Sequence, residues 1–321
     1  MVTLPDASLI RHVTLPEQWL LDALQPLPPA LRVGLWDLQS EPQGLALGDI
    51  EAVVLPYIGA VKRLPALQRV PRLRLVHTLT TGYDGVLAAV GDDVTVVTAS
   101  GVHAASTAEL AIGLMLASLR GIDLAARDQP EGRWNHVTRT SLADRKVLLV
   151  GVGGIGREIA RRLAPFEVTL ARVGTHARDD ADGHVHGVTE LVALARDAEI
   201  LVVITPLTES TRGLVDARVL AALPDGALVV NVARGPVVDT AALTAEVLKG
   251  RLRAALDVME PEPLPPGHPL WTAPGVLITP HLGGDTSAFA PRAIRLLRAQ
   301  LARLAAGQPM DNVVRPGFTR A

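Results

Sequence analysis

The sequence predicts an α/β protein with two doubly wound parallel sheets. Short β-branched apolar runs without polar alternation recur along all 321 residues, which is typical of strands buried on both faces. Segments rich in alanine, leucine and arginine lie between many of these runs and have helical spacing. Strands that alternate with helices form parallel sheets that are covered on both sides.

Ten strands are predicted, which is many for a single sheet. The strongest turn signal occurs near the middle of the chain, so a second sheet that starts there fits better than one large sheet. We expect the last helix to return the chain to the first domain. The predicted strands are 32–36, 52–55, 73–79, 94–98, 146–152, 168–173, 200–205, 227–232, 254–258 and 276–279, and the predicted helices are 106–120, 157–164, 189–197, 240–249 and 291–306.

Composition and charge exclude several classes of protein. An apolar fraction of 48% argues against disorder. With 31 basic and 33 acidic side chains the formal net charge is −2, so no broad positive field exists for a nucleic acid partner. The absence of cysteine excludes disulfides, thiolate nucleophiles, iron–sulfur clusters and cysteine-type zinc sites.

The sequence predicts a cytoplasmic protein without a membrane partner. Residues 1–25 lack the basic start and apolar core of a signal peptide. The longest uncharged apolar run, 110–119, falls short of the roughly 20 residues that a bilayer span needs. No metal site is expected either, because His184 and His186 are predicted in a polar loop with no third ligand at helical spacing.

A glycine-rich turn joins a predicted strand to a predicted helix. Its glycines would allow a tight turn, close approach of a pyrophosphate, and tight packing of the helix on the sheet. A dinucleotide site is the favoured interpretation, and a simple tight connection between strand and helix is the alternative. The turn reads Gly151-Val152-Gly153-Gly154-Ile155-Gly156.

The residues after the next strand indicate which dinucleotide is bound. An acidic residue that grips the ribose hydroxyls of NAD is expected about 20 residues after the turn, but the sequence has Gly174 there and no acid before Asp179. Thr175, His176 and Arg178 offer donors and positive charge for a 2′-phosphate. NADP(H) is therefore the preferred cofactor; if Arg178 is only a solvated loop cation, the protein accepts NAD(H) or both.

Three polar side chains follow later strands, at the sheet edge where open α/β sheets bind ligands. Arg234 could form two parallel hydrogen bonds to a carboxylate. Glu262 lies in a loop that prolines stiffen, and His281 follows the last predicted strand. Each signal alone is modest, since such residues often form surface ion pairs or structural contacts. Together they supply an anion anchor, an orienting carboxylate and an acid–base group.

Several segments, in order and with matching spacing, carry a resemblance over nearly the whole chain. They are 75–84, 107–110, the glycine turn, Thr205-Pro206-Leu207-Thr208, Asn231-Val232-Ala233-Arg234-Gly235, 256–258 with Glu262-Pro263, and Thr279-Pro280-His281. The sequence resembles the D-isomer-specific 2-hydroxyacid dehydrogenases, and among them the glyoxylate and hydroxypyruvate reductases.

The resemblance implies a domain organisation and an activity. A flavodoxin-like substrate domain is split between residues 1–99 and 287–321, and a Rossmann cofactor domain, residues 100–286, is inserted into it. A homodimer forms mainly through the cofactor domains. Hydride passes between a nicotinamide cofactor and a small 2-oxo or D-2-hydroxy acid such as glyoxylate or hydroxypyruvate.

The resemblance also implies a role for each site residue. Arg234 holds the carboxylate and keto oxygen, while protonated His281 donates a proton to that oxygen and Glu262 accepts a hydrogen bond from the imidazole. The substrate carboxylate binds main-chain amides near Thr81 and Gly82. Further cofactor contacts fall on Thr205, Pro206 and Val232, and on Asp257, which resembles the residue that binds the nicotinamide carboxamide.

Two aromatic residues have no single interpretation. Tyr57 lies in segment 55–59, which should form a substrate loop, but a partly buried packing tyrosine would look the same. Trp134, just before the first strand of the cofactor domain, either reaches the partner subunit's site or packs in the interface.

Other functions on the same fold stay open at this point. The resemblance extends to transcriptional corepressors, so a non-catalytic dinucleotide sensor is one alternative. Phosphite oxidation is another, because it too could use an arginine anchor and a histidine base. A formate dehydrogenase is disfavoured, since its unprotonated product would not need Glu262 to pair with His281.

Overall fold

The computed structural model describes residues 10–317. Residues 1–9 and 318–321 lie outside the described residues. The first range is part of the segment 1–25 in which no signal peptide is predicted, and the second is the end of the predicted substrate domain. The chain divides into two compact units. The first unit contains the described residues up to His103 and from Ser287 onward, and the second unit is Ala104–Thr286.

Strands and helices alternate along most of the described chain. The strands are β1 (His12–Leu15), β2 (Arg32–Leu35), β3 (Ala52–Val54), β4 (Leu75–His77), β5 (Thr95–Val97), β6 (Lys146–Val150), β7 (Thr169–Gly174), β8 (Arg178–Asp180), β9 (Gly183–Gly187), β10 (Ile200–Val203), β11 (Leu228–Asn231), β12 (Arg253–Leu256), β13 (Val276–Ile278) and β14 (Val313–Arg315). The α-helices are α1 (Gln18–Leu24), α2 (Ala60–Arg63), α3 (Val86–Ala89), α4 (Ala104–Arg120), α5 (Ile122–Asp128), α6 (Gly154–Leu163), α7 (Leu191–Ala195), α8 (Ala217–Ala222), α9 (Thr240–Leu248) and α10 (Phe289–Ala305).

The first unit contains a six-stranded sheet in the order β14-β5-β4-β3-β1-β2. Strands β1 to β5 are parallel and have the flavodoxin-like order of a doubly wound sheet. β14 adds to one edge and runs antiparallel to β5. Helix α10 packs on this sheet through Leu297, Leu301 and Leu304, which share a buried cluster with Leu15 and Leu20.

The second unit contains an eight-stranded sheet in the order β13-β12-β11-β10-β6-β7-β9-β8. From β9 to β12 the order is that of a Rossmann fold, which reverses direction between β6 and β10. Alternate residues of β6 face opposite sides, since Leu148 and Val150 belong to one buried cluster and Val147 and Leu149 to another. Burial on both faces explains why this strand is an unbroken apolar run.

Each of the ten predicted runs contains a strand, and four further strands were missed. β1 and β14 are short, and β8 and β9 form a polar antiparallel hairpin whose sequence has no apolar run. A buried ion pair supports this hairpin: Arg172 on β7 is 7% exposed and donates to Asp180 of β8 at 2.8 Å. Tertiary contacts thus stabilise strands that local apolarity did not indicate.

Two local predictions were wrong. His184 and His186 lie on strand β9 and not in a loop. Helix α4 begins at Ala104, before the expected cap at Ser106-Thr107. Ser106 Oγ lies 2.9 Å from Thr286 Oγ1 and Thr107 Oγ1 donates to the carbonyl of Gly283, so these hydroxyls bind a later segment instead of the helix end.

Among residues 10–317, no helix is long and apolar enough to cross a membrane. Over the same range, no group of three or more histidine, aspartate or glutamate side chains is placed to hold a metal ion.

Candidate active site

The glycine turn lies at the carboxyl end of β6, where the strand order of the second sheet reverses. Gly151 has φ +117°, and a Cβ there would lie 2.7 Å from the carbonyl oxygen of Ile204 after β10. A Cβ at Gly156 would lie 2.0 Å from the carbonyl oxygen of Gly151. These two glycines therefore let strand, turn and helix α6 pack closely at the point where open α/β sheets bind ligands.

The residues beside this turn fit a dinucleotide. Gly153 is the N-cap of helix α6 and Gly154 is its first residue, and a Cβ at either position would meet no atom within 4 Å. Space is thus open in front of amides at a helix N-terminus, which favours a phosphate. Thr205 Oγ1 is buried without a hydrogen-bond partner among the described residues, and a ligand hydrogen bond would satisfy it. Pro206 follows it on the surface, Val232 is buried, and Ile155 packs into the core below.

The far end of β7 brings Arg178 next to Gly174. A Cβ at Gly174 would lie 3.1 Å from Arg178 Nη1 and 3.1 Å from the side chain of Val152 in the glycine turn. Arg178 also donates to the carbonyl of His176 at 3.2 Å. Thr175, His176 and Arg178 are all exposed, so their polar groups can meet a ligand that extends from the turn.

Arg234 follows β11 in a loop that is fixed by its neighbours. The buried Asn231 accepts from the amide of Ala233 at 3.0 Å and donates to the carbonyl of Arg234 at 3.2 Å. A Cβ at Gly235 would lie 2.0 Å from the carbonyl oxygen of Met259. Glycine at this position therefore lets the Arg234 loop pack directly on the loop that leads from β12 to Glu262.

Glu262 and His281 form a direct pair in the second unit. Glu262 Oε1 lies 2.5 Å from His281 Nδ1, and the side chains are 38% and 47% exposed. The hydrogen bond to Glu262 raises the pKa of His281 above its ordinary value, against desolvation and the positive charge of Arg234, which lower it. This arrangement favours a charged imidazole whose Nε2 faces away from Glu262.

Asp257 holds the loop that carries His281. Its carboxylate is buried and accepts from Thr279 Oγ1 at 2.6 Å and from the amides of Leu282 and Gly283 at 2.8 and 2.9 Å. His281 has φ +57°, a region that costs energy for most residues with a side chain. The Asp257 contacts stabilise this backbone, so Asp257 positions His281 in addition to the cofactor role that the sequence suggested.

The remaining predicted site residues lie in the first unit. Thr78 Oγ1 and Thr80 Oγ1 donate to the carbonyls of Thr80 and Gly82, both at 2.6 Å, which fixes the backbone after β4. Thr81 Oγ1 is buried without a hydrogen-bond partner among the described residues. Tyr57 stacks on Phe289 with ring centroids 4.1 Å apart, so its ring packs within this unit, and its predicted contact with substrate stays a prediction.

Comparisons with known proteins agree with this geometry. The family profile described as D-isomer specific 2-hydroxyacid dehydrogenase, NAD binding domain, matches residues 112–283, more than half of the chain. The chain belongs to this family. The dehydrogenase is therefore an enzyme that uses a nicotinamide cofactor, and its second unit contains the cofactor-binding domain.

Individual relatives extend the match over most of the dehydrogenase. A glyoxylate reductase from Thermofilum pendens is 32% identical over 255 residues, which are 74% of each chain. A D-isomer specific 2-hydroxyacid dehydrogenase from Xanthobacter autotrophicus, solved with NADPH and MES, has a TM-score of 0.81 at 33% identity, over 96% of this chain and 99% of its own. An NADPH-dependent glyoxylate/hydroxypyruvate reductase from Sinorhizobium meliloti, solved with NADP and malonate, has a TM-score of 0.78 at 28% identity, over 97% and 99%.

The second unit of the dehydrogenase brings together the glycine turn, Arg178, Arg234 and the Glu262–His281 pair, while Thr81, Gly82 and Tyr57 belong to the first unit. Sequence reasoning assigned no role to Asn231 or Thr279, although both lie in segments that carry the resemblance. A short polar residue two or three positions before a proposed reacting residue was the signal that could have found them.

The Glu262–His281 pair predicts a pH effect. The proton donor that the sequence predicts, His281, must be protonated to act, so kcat/KM for reduction should fall as pH rises through its raised pKa. Glu262→Gln removes the negative partner and lowers that pKa, which moves the fall to lower pH and reduces activity at pH 8 by about tenfold. The pH profile of kcat/KM, recorded for the wild type and for Glu262→Gln, measures the fall and its shift. Glu260→Gln is the matched control in the same loop. An unmoved profile for Glu262→Gln would contradict the pairing.

Proposed function

We propose that this dehydrogenase reduces small 2-oxo acids, of the glyoxylate and hydroxypyruvate type, to D-2-hydroxy acids and prefers NADPH. The observation that carries the proposal is the 2.5 Å pair between Glu262 and His281, with Arg234 close enough to affect the pKa of the imidazole. The names of the relatives from Thermofilum pendens and Sinorhizobium meliloti support the substrate class.

The proton that reduction consumes comes from His281. Because Nδ1 is engaged by Glu262, Nε2 is the nitrogen that donates to the keto oxygen of the substrate. Arg234 holds the substrate through its guanidinium fork and stabilises the negative charge that develops on the keto oxygen. When bound, the reduced nicotinamide supplies the hydride that is added to C2. The protein contributes orientation and charge stabilisation.

The substrate carboxylate is assigned to main-chain amides near Thr81 and Gly82. The hydroxyls of Thr78 and Thr80 fix the carbonyls of this segment, which leaves its amides in a defined direction. The hydroxyl of Thr81 is buried and has no hydrogen-bond partner within residues 10–317, and a bound anion would satisfy it. Tyr57 is assigned to this substrate-binding unit as a wall residue held by its ring stack.

The test of this function is the loss of reduced-nicotinamide absorbance with NADPH and NADH in parallel. The panel comprises glyoxylate, hydroxypyruvate, pyruvate, and branched and aromatic 2-oxo acids. The proposal expects turnover of the two smallest substrates, faster with NADPH. Tight dinucleotide binding without turnover of any 2-oxo acid would contradict it, and would favour phosphite oxidation or a sensing role instead.

Arg178 is predicted to determine the preference for NADPH. Its guanidinium lies beside Gly174, where an NAD-specific enzyme has an acid, and a charged hydrogen bond to a phosphate is worth about 1.5–3 kcal/mol. Arg178→Ala should therefore raise KM for NADPH about tenfold or more and leave KM for NADH unchanged. Steady-state kinetics with both cofactors measure this, and Arg196→Ala, an exposed arginine at the end of α7, is the control. An equal change for both cofactors would refute the assignment.

A homodimer through the cofactor units is part of the proposal. Trp134 is 95% exposed, and Ile122, Leu124 and Val137 nearby in the chain are 55%, 40% and 50% exposed. Apolar side chains gathered in one exposed segment are typical of an interaction surface. Light scattering after size exclusion should give the mass of two chains, and a single-chain mass would contradict this part. The cytoplasmic location stays a prediction from the sequence.

A further inference from the structure

Three aromatic rings, those of Tyr57, His103 and Phe289, stack on one another in the first unit. The centroids lie 4.1 Å apart for Tyr57 and Phe289, 5.4 Å for His103 and Phe289 and 5.5 Å for Tyr57 and His103, and the ring planes are within 20° of parallel. Stacked rings at such distances attract one another beyond the area that they bury. Phe289 is the first residue of helix α10, which packs on the first sheet. The stack therefore ties the loop that carries Tyr57, residues 55–59, to a fixed element of this unit.

His103 connects this stack to the segment that is assigned to the substrate carboxylate, residues 78–82. Its side chain is buried, and its Nε2 lies 2.9 Å from the carbonyl oxygen of Leu79. Because a carbonyl oxygen can only accept, Nε2 carries the hydrogen and donates it. The Leu79 carbonyl belongs to the same planar peptide group as the amide of Thr80. His103 therefore fixes the direction of a main-chain amide within this segment.

The following peptide groups of this segment are fixed in the same way. The carbonyl of Thr80 accepts from Thr78 Oγ1 at 2.6 Å and from the amide of Ala99 at 2.9 Å. The carbonyl of Gly82 accepts from Thr80 Oγ1 at 2.6 Å. Together with the bond from His103, these contacts set the direction of three carbonyls and of the amides that follow them. An anion that meets these amides does not have to order them, which spares part of the free-energy cost of binding.

We propose that His103 is a positioning residue for the substrate, which holds the Tyr57 loop and segment 78–82 in one arrangement through its ring stack and its bond to Leu79. The inference rests on the proposed function, which assigns both segments to the substrate. Loss of His103 should weaken binding of the 2-oxo acid, because both segments would then be ordered only at the expense of binding free energy. Cofactor binding should not change, since the glycine turn and Arg178 belong to the second unit.

The test is steady-state kinetics with glyoxylate and NADPH for the wild type, His103→Phe and His103→Ala. His103→Phe keeps a ring in the stack but lacks the donor, so KM for glyoxylate should rise about fivefold, the usual effect of one lost hydrogen bond. His103→Ala lacks both the ring and the donor, and KM should rise roughly 20-fold or more. In both variants kcat should stay within about threefold of the wild-type value, as expected when only binding is lost, and KM for NADPH should not change.

Trp36→Phe is the matched control. Trp36 is also a buried ring of the first unit, and its Nε1 donates to the carbonyl of Ser40 at 2.9 Å. It belongs to a buried cluster on the other face of the sheet from Tyr57 and Phe289. Trp36→Phe removes the same kind of hydrogen bond, so it should lower the thermal midpoint of unfolding while KM for glyoxylate stays at the wild-type value. An equal rise of KM in this variant would overturn the inference, because it would indicate a general loss of stability.

The outcomes separate this inference from the proposed function. His103→Phe keeps the ring and nearly the same volume, so it should fold even if His103→Ala does not. An active wild-type enzyme with unchanged KM for glyoxylate in His103→Phe would overturn this inference alone. A KM for NADPH that rises as much as KM for glyoxylate would overturn it as well. A wild type that reduces no 2-oxo acid would contradict the proposed function and, with it, this inference.

Discussion

Replacement of His281 by asparagine should lower kcat for 2-oxo acid reduction by about 10²–10⁴-fold, the usual contribution of a positioned acid. In the proposed mechanism the imidazole is the proton donor that Glu262 holds in its charged form, and neither asparagine nor water at that position can donate as well at neutral pH. Asparagine is chosen because it tolerates the left-handed backbone of residue 281 better than alanine. The loss in kcat then measures the missing proton donor and not a disturbed loop.

Dinucleotide binding provides the control for His281→Asn. Quenching or enhancement of NADPH fluorescence should give the same affinity for variant and wild type, because the glycine turn and Arg178 are unchanged. The thermal midpoint of unfolding should also stay close to that of the wild type. A variant that keeps its turnover would remove His281 from the mechanism, and one that loses cofactor binding would show that residue 281 acts through the fold.

Arg234→Ala should produce the second large effect, a loss in kcat/KM of about 10²–10³-fold, typical for a lost electrostatic contact to a developing oxyanion. Both the anchoring of the substrate and the stabilisation of negative charge on the keto oxygen disappear. Arg234→Lys keeps the charge but not the fork, and should recover only part of the loss. Steady-state kinetics with glyoxylate measure both variants.

The pH profile separates Arg234 from Glu262. The positive charge of Arg234 lowers the pKa of His281, so Arg234→Ala should move the fall of the remaining activity to higher pH, opposite to Glu262→Gln. Arg212→Ala is the matched control, because Arg212 lies 3.6 Å from Glu260 in the same region. Activity near the wild-type level in Arg234→Ala would contradict the proposed anchor.

The strands of both sheets were predictable where burial is two-sided. β6, β10 and β11 are apolar at nearly every position because both faces pack against helices. β8 and β9 were not predictable, because a hairpin supported by the ion pair of Arg172 and Asp180 has no apolar pattern. Ion pairing between residues on different strands depends on the tertiary fold and leaves no periodic signal in the sequence.

For the site, the sequence indicated which residues react or bind, but not the hydrogen bonds that hold their loops in place. The glycine turn was recognisable because a close approach of backbones admits no side chain, as the contacts of Gly151 and Gly156 demonstrate. The role of Asp257 in holding the His281 loop was not recognisable. Its partners are two backbone amides and a hydroxyl more than 20 residues away, and amides carry no sequence signature.

The proposed reacting residues and the proposed substrate-binding segments belong to different units, which has a consequence for engineering and for evolution. Arg234, Glu262 and His281 all lie in the second unit, where Asn231, Gly235 and Asp257 fix their loops. The segments assigned to substrate choice lie in the first unit. Pocket loops in the first unit can therefore diverge, or be exchanged with those of relatives, without disturbing the acid–base machinery. Under the proposed function, such modularity would let one hydride-transfer chemistry serve many 2-oxo acids.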